Sequence, residues 1–409
     1  MQSTEISHVP HDSDRIATLA RKHAAFWRGD EENSFLRSAG IFSPSAPIAL
    51  PQGAGSKPID HVEVLTPDLI HVDALIDDIE RLYSAEPSED IFIHGFCTFP
   101  GLGDLMPLSQ PLAKIPWLEA AIGIPITMTE GHIWVGEPEE SPEEFLKSWR
   151  NLDENPWLEL YTRFLERLGD RLATREGGRF PVSANTLFRG PSDLAAAVLG
   201  AAEACLGWID DPELMSRLLR LGVDANLTFI EQGRKTVQSF HAGSSDSDSL
   251  DSPDSYEGYM SAFGILAPHP VLRMQADHSS LLSPGIYREQ ILSFDRNVVR
   301  ANPSSVFHIH NNGLHMSPYL VENPELDVVQ VTIDPYPLGA RKDYEIDMVR
   351  SIQAHKPVIL DVNFPDWEEA EEFLSRLAQK RLCFNPRFSR EEYARLPEEY
   401  PGREIWLMT

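Results

Sequence analysis

Between residues 271 and 386 short, uninterrupted apolar runs alternate with helix-patterned stretches, and this alternation restricts the chain to a parallel βα architecture. The runs are VLRMQAD (271–277), VFHIHNN (306–312), VVQVTID (328–334), PVILDVN (357–363) and RLCFNP (381–386), with DIFIHG (90–95) and RFPVSA (179–184) upstream. Their apolar residues are consecutive rather than alternating, as in strands covered on both faces. Helix starts are marked by proline behind a capping residue at Thr66-Pro67, Ser141-Pro142, Asp211-Pro212, Ser283-Pro284 and Ser317-Pro318. Proline loses nothing at a first helical position, where its N–H would be unpaired, and the preceding oxygen caps a free donor. Behind Asp211, the residues Leu214, Met215, Leu218, Leu219 and Leu221 recur at helical spacing and predict a helix to about Gln238. Ser283 opens PGIYREQILSFDRNVVRA, and Asp366 opens DWEEAEEFLSRLAQKR, whose acids come first and bases last, in accord with the helix dipole.

In a chain of 409 residues this order favours a closed (β/α)8 TIM barrel over an open doubly wound sheet. No G-x-G-x-x-G or G-x-x-x-x-G-K-[ST] follows any strand, so nucleotide-binding open sheets lose support. The expected layout is an N-terminal extension over residues 1–85, partly helical and partly irregular, packed on a barrel of residues 86–409. The segment GSSDSDSLDSPDS (243–255) is acidic and low in complexity, and is expected to be a mobile loop.

Composition bears on partners and compartment. The 42% hydrophobic and 24% charged fractions are those of a globular chain. Lysine and arginine total 35 against 63 acids, a net charge of −28. Such a surface repels phosphate backbones and anionic lipid, which argues against nucleic-acid and membrane partners and leaves a small-molecule substrate. Cys97, Cys205 and Cys383 lie far apart and form no disulfide framework. The first thirty residues carry charges throughout, and no run of 18 apolar residues occurs, so a reducing cytoplasm is the expected compartment.

In a βα barrel, chemistry collects where the strands end. His308 and His310 are two apart on one strand and therefore face one space, where two imidazoles suit a metal ion. Asp334, at the end of the next strand, and Cys383, two strands further on, are candidates to complete a mixed nitrogen, oxygen and sulfur set. That set suits Zn2+, with Fe2+ and copper left open by residue type. The competing reading makes one histidine a backbone partner, the other a pocket wall, and Cys383 an inert core residue. Asp277, beside His278, and His94 are candidates for proton transfer, although Asp277 also reads as a loop cap. Arg189, Asn185 and Asn312 are candidates to bind substrate, Arg189 by a bidentate grip on a carboxylate or else as a plain ion pair.

Three stretches carry a family resemblance: PVSANTLFRGPSDLAAAVLGAAEACLGWIDDPELMSRLL (181–219), QADHSSLLSPGIYREQILSFDRNVV (275–299) and VFHIHNNGLHMSPYLVENPELDVVQVTID (306–334). In content and order they resemble the uroporphyrinogen decarboxylase superfamily. The resemblance implies a (β/α)8 barrel shared with corrinoid and cobalamin-independent methyltransferases, and suggests a homodimer. The arginine-rich R-Q-A-G-R type motif of the true decarboxylases has no counterpart here, which argues against uroporphyrinogen as substrate. The methyltransferase branch carries a zinc-binding H-x-C and a late cysteine. His308 matches the first ligand, His310 stands where the family has cysteine, Cys383 lies near the place of the last, and Asp334 falls where methionine-synthase relatives supply a carboxylate. Methyl or one-carbon transfer through a metal-activated nucleophile is thus the expectation, with a corrinoid partner left open. The alternatives are a metal-free decarboxylase or lyase of a small carboxylate using Asp277 and Arg189, and a ligand-binding barrel without chemistry.

Overall fold

A computed structural model describes residues 13–32, 34–37, 40–41, 58–59, 61–77, 97–99, 103–105, 115–130, 132–149, 152–173, 187–241, 258–260, 265–267, 271–334, 342–363 and 367–388, with isolated positions 53 and 269. His94, Asn185, residues 243–255 and the expected strands at 90–95 and 179–184 lie outside the described residues. Fourteen strands are described: β1 (Phe35–Arg37), β2 (Gly40–Ile41), β3 (Cys97–Phe99), β4 (Gly103–Leu105), β5 (Ile126–Thr129), β6 (His132–Val135), β7 (Leu187–Arg189), β8 (Gly258–Met260), β9 (Ile265–Ala267), β10 (Val271–Gln275), β11 (Ser304–His310), β12 (Val328–Ile333), β13 (Val358–Asn363) and β14 (Leu382–Phe388).

The main sheet runs β1-β14-β13-β12-β11-β10-β7, with β2 also on β14, and every pairing in it is parallel. The pairs β3–β4, β5–β6 and β8–β9 are separate antiparallel hairpins. From β10 to β14 neighbours in space are neighbours in sequence, so successive strands are added in one direction across the sheet. Two short strands near the N-terminus, β1 and β2, both pair with β14 in this sheet.

Residue parity divides the sheet. Leu272, Met274, Phe307, Ile309, Val329, Val331 and Leu360 join the large core under the helices with Val298, Ile346, Val349 and Phe373. The opposite parity begins apolar and becomes polar along each strand. Val271, Val306, Val328, Ile359 and Cys383 form a small cluster with Leu36, Phe26 and β9. Beyond them on the same face come Arg273, His308, Gln330, Asp361 and Asn385, all but Arg273 buried.

Several helix starts behave as their capping chemistry requires. Ser141 makes a reciprocal capping box with Glu144, Asp211 accepts from the Leu214 amide at 3.0 Å, and Ser283 accepts from Ile286 at 3.3 Å. The helix after Asp211 runs Pro212–His241. Thr66 precedes only a 3-10 turn and makes no side-chain cap. Ser317 lies inside its helix, Ser317–Val321, because a 3-10 turn over Asn311–Met316 leads into it. The stretch after Ser283 is helical through Arg300 but contains a π turn at Tyr287–Ile291. The last predicted helix covers only Trp367–Ser375.

Candidate metal centre

β11 delivers His308 and His310 to the polar face as parity requires. Their Nε2 atoms face each other at 3.0 Å, with ring centroids 4.7 Å apart and planes at 82°. His308 Nδ1 lies 2.6 Å from Gln330 Oε1, and His310 Nδ1 lies 2.6 Å from Asp334 Oδ2. Both partners are acceptor oxygens, so each Nδ1 carries the hydrogen and each Nε2 of a neutral ring presents a lone pair. Two lone pairs opposed at this distance repel unless a positive charge lies between them, either a metal ion or the second proton of an imidazolium paired with Asp334. Two nitrogen ligands of a tetrahedral zinc ion stand roughly 3.3 Å apart, given bonds of about 2.0–2.1 Å, so the donor set fits such an ion.

The orienting groups are themselves held. Gln330 Oε1 also accepts from Arg273 Nε and Nη2 at 3.1 and 2.7 Å, while its Nε2 donates to Thr332 Oγ1 at 2.8 Å. Thr332 and Asn385 donate to the two oxygens of Asp361, at 3.4 and 3.0 Å. This polar chain fixes the imidazole of His308 from behind, an arrangement usual behind metal-bound histidines.

The third group is Asp277. Among the described residues, ligand atoms of Asp277, His308 and His310 lie within 4.8 Å of one another. Gln275 Nε2 donates to Asp277 Oδ2 at 2.9 Å, leaving the other oxygen for the site. Burial raises the Asp277 carboxyl above its ordinary value, against the pull of His310, Arg189 and Arg273. The turn that carries it is fastened by buried Asp193, whose Oδ1 accepts the His278 amide at 2.8 Å. His278 itself takes the Trp208 indole N–H at 3.4 Å.

Of the predicted ligands, the structure brings His308, His310 and Asp334 together, with Asp334 as the orienting partner of His310. It does not bring Cys383 to them. β14 begins at Leu382, so Cys383 stands near the start of the strand, among Val306, Val328 and Ile359. Along the register row His308–Gln330–Ile359–Cys383 it is three strands away, roughly 14 Å at ~4.8 Å per strand. Burial pushes its thiol well above the ordinary value, which disfavours the thiolate a metal needs.

Arg189 lies on β7, paired in register with Gln275. Its Nε is bound to Glu119 at 2.9 Å, and the guanidinium is 41% exposed while Glu119 is buried. Burial raises the Glu119 carboxyl, and Arg189 opposes that rise. Asn312 is exposed and donates to Ser280 Oγ at 3.0 Å. Gln330, Glu119 and Asp193, which hold His308, Arg189 and the Asp277 turn, stand outside the sequence-based expectations. A polar residue amid VVQVTI was the available signal for Gln330, whereas Glu119 and Asp193 carried none.

Among the described residues no single helix is long and apolar enough to cross a membrane. No protein-family model and no curated protein sequence matches this chain. Among solved structures, the fold is similar to that of a methyltransferase from Methanosarcina mazei, with a TM-score of 0.52, 12% identity, and 91% of this chain and 93% of that chain covered.

Proposed function

We propose that this chain is a barrel enzyme of the methyltransferase type, in which a metal ion held by His308, His310 and Asp277 activates a nucleophile on a small-molecule substrate. The opposed Nε2 pair carries the reading, because both Nδ1 hydrogens are committed elsewhere and a cation relieves the contact. Closure of the sheet into a barrel is supported by its order, in which the first strand follows the last and every pairing is parallel. The polar face would then line the interior, with the ends of β10, β11 and β12 opening at one mouth. Likeness to a solved methyltransferase supports the reaction type.

Two imidazoles and one carboxylate form a donor set used by catalytic zinc, with a fourth position left for substrate. When bound, the ion supplies Lewis acidity that lowers the pKa of a substrate thiol or hydroxyl. The residues of the chain do the rest. Gln330 and Asp334 keep both imidazoles in the required tautomer. Arg189, pinned by Glu119, offers its remaining N–H groups to an anionic end of the substrate, and Asn312 offers a polar contact at the rim. The same donors accept Fe2+, so the ion is identified by measurement.

Elemental analysis of protein purified without added metal tests the proposal. About one equivalent of zinc or iron is expected, lost in His310→Ala. Metal-free wild-type protein, or His310→Ala with full metal, overturns it. Carbon dioxide release that survives chelation would instead favour a metal-free lyase using Asp277 and Arg189.

A further inference from the structure

Behind the polar face, three helices meet at Gly190, and each brings a buried oxygen without a hydrogen-bond partner among the described residues: Asp193 Oδ2, Asn226 Oδ1 and Asp295 Oδ1. The three side chains are 5%, 0% and 1% exposed for Asp193, Asn226 and Asp295 respectively. Their placement around Gly190 is tight. The Asp193 amide donates to Gly190 O at 3.0 Å, and Asn226 Nδ2 donates to the carbonyl of Arg189 at 3.1 Å. Asp295 Oδ1 is 3.7 Å from where a Cβ of Gly190 would stand, and that Cβ would also be 2.6 Å from the Gln275 carbonyl, so only glycine fits. The other oxygen of each carboxylate is committed, Asp193 Oδ1 to the His278 amide and Asp295 Oδ2 to the Tyr287 hydroxyl at 3.0 Å.

With both carboxyls ionised, the three free groups are all acceptors. A single water has two hydrogens and cannot serve three acceptors, nor does it offset two buried carboxylates. The positive charge that acts on Asp193, Arg189, is itself committed to Glu119. A hard cation meets both demands, since carboxylate and amide oxygens are the ligands calcium takes, and two carboxylates match a divalent charge.

We infer that Asp193, Asn226 and Asp295 form a buried oxygen site for a divalent cation of the calcium class, separate from the His308–His310 centre. Such an ion ties together helices Pro191–Leu199, Pro212–His241 and Leu292–Arg300. It also fixes the Asp193 carboxylate that holds the turn carrying Asp277. The competing arrangement is a protonated acid pair that needs no metal.

Full-length protein freed of metal by chelation and desalted, at pH 8, is unfolded by heat with rising Ca2+ or with choline chloride of equal ionic strength. Wild-type Tm is expected to rise by several degrees with Ca2+ only. Asp295→Asn should lose at least half of that rise, while His310→Ala keeps it, which separates the two sites. Equal Tm in both salts, or a full rise in Asp295→Asn, overturns the inference. As a check that needs no variant, Tb3+ bound to the wild-type protein should show emission sensitised by the aromatic rings beside the site, Tyr287 and Trp208, and displaced by Ca2+. Absent emission, or emission that Ca2+ does not displace, counts against the site.

Discussion

Gln330 and His308 form a 2.6 Å contact in which a fully buried amide oxygen receives the imidazole Nδ1 hydrogen, and that contact leaves Nε2 with its lone pair toward His310. Gln330→Leu removes the acceptor that His308 Nδ1 and the Arg273 guanidinium share. Metal affinity is expected to fall about 10–100-fold, the range for lost orienting partners of ligating histidines, as read by chelator competition. The same change should cost about 1–3 kcal/mol in unfolding free energy, because buried donors lose that acceptor. Gln330→Glu retains an acceptor and should keep most of the affinity. A Gln330→Leu protein binding metal as tightly as the wild type would show that the tautomer is not set there.

Cys383 provides the complementary test. It packs with Val306, Val328 and Ile359, and its thiol is held protonated by burial. Cys383→Ala should leave metal stoichiometry unchanged and lower stability by about 1 kcal/mol, as for a small core truncation. Loss of metal with stability intact would restore sulfur to the ligand set.

The two histidines were legible because strand parity alone places residues two apart on one side. Asp334 was legible as the polar residue ending the adjacent strand. Depth along a strand was not, since it depends on where the strand begins. Cys383 reads as a strand-end residue in RLCFNP, yet β14 starts at Leu382 and runs on to Phe388. Asp193, Asp295 and Glu119 were illegible for another reason. Each is an acid in a helix, a setting that usually means a solvated face, and only the meeting of separate helices buries them. Helix starts depended on local capping chemistry and were readable at Ser141, Asp211 and Ser283, but not at Ser317, where a preceding turn of chain moves the boundary.

Arg189 and Glu119 yield a prediction about substrate binding. Arg189→Met should raise KM for an anionic substrate at least tenfold with a smaller change in kcat, since it removes a grip common to ground and transition state. It also leaves Glu119 buried and unpaired, so stability should drop by about 3–5 kcal/mol. Adding Glu119→Gln should recover most of the stability and none of the KM. Recovery of both would mean that Arg189 acts only as a structural partner.

The buried acids give stability a pH dependence whose sign is fixed. Burial raises Asp193 to about 7 and Asp295 to about 8, from an ordinary 3.8. Between those limits the folded chain binds protons that the unfolded chain has released, so this contribution is complete below about 4 and is lost as pH rises through 7 and 8. His23 works in the opposite sense. Burial lowers it from 6.5 to about 3, so its contribution is present above 6.5 and is lost as pH falls toward 3. The acids are therefore best isolated between pH 6.5 and 8.5. There, chelated wild-type protein should show a falling urea midpoint, and Asp295→Asn a clearly flatter one, because an amide has no proton to release. Saturating Ca2+ should flatten the wild-type profile in the same window, since an ion bound to both carboxylates removes the cost of ionising them. A wild-type midpoint that rises from pH 6.5 to 8.5 in chelator would show that these carboxylates are solvated in the folded protein.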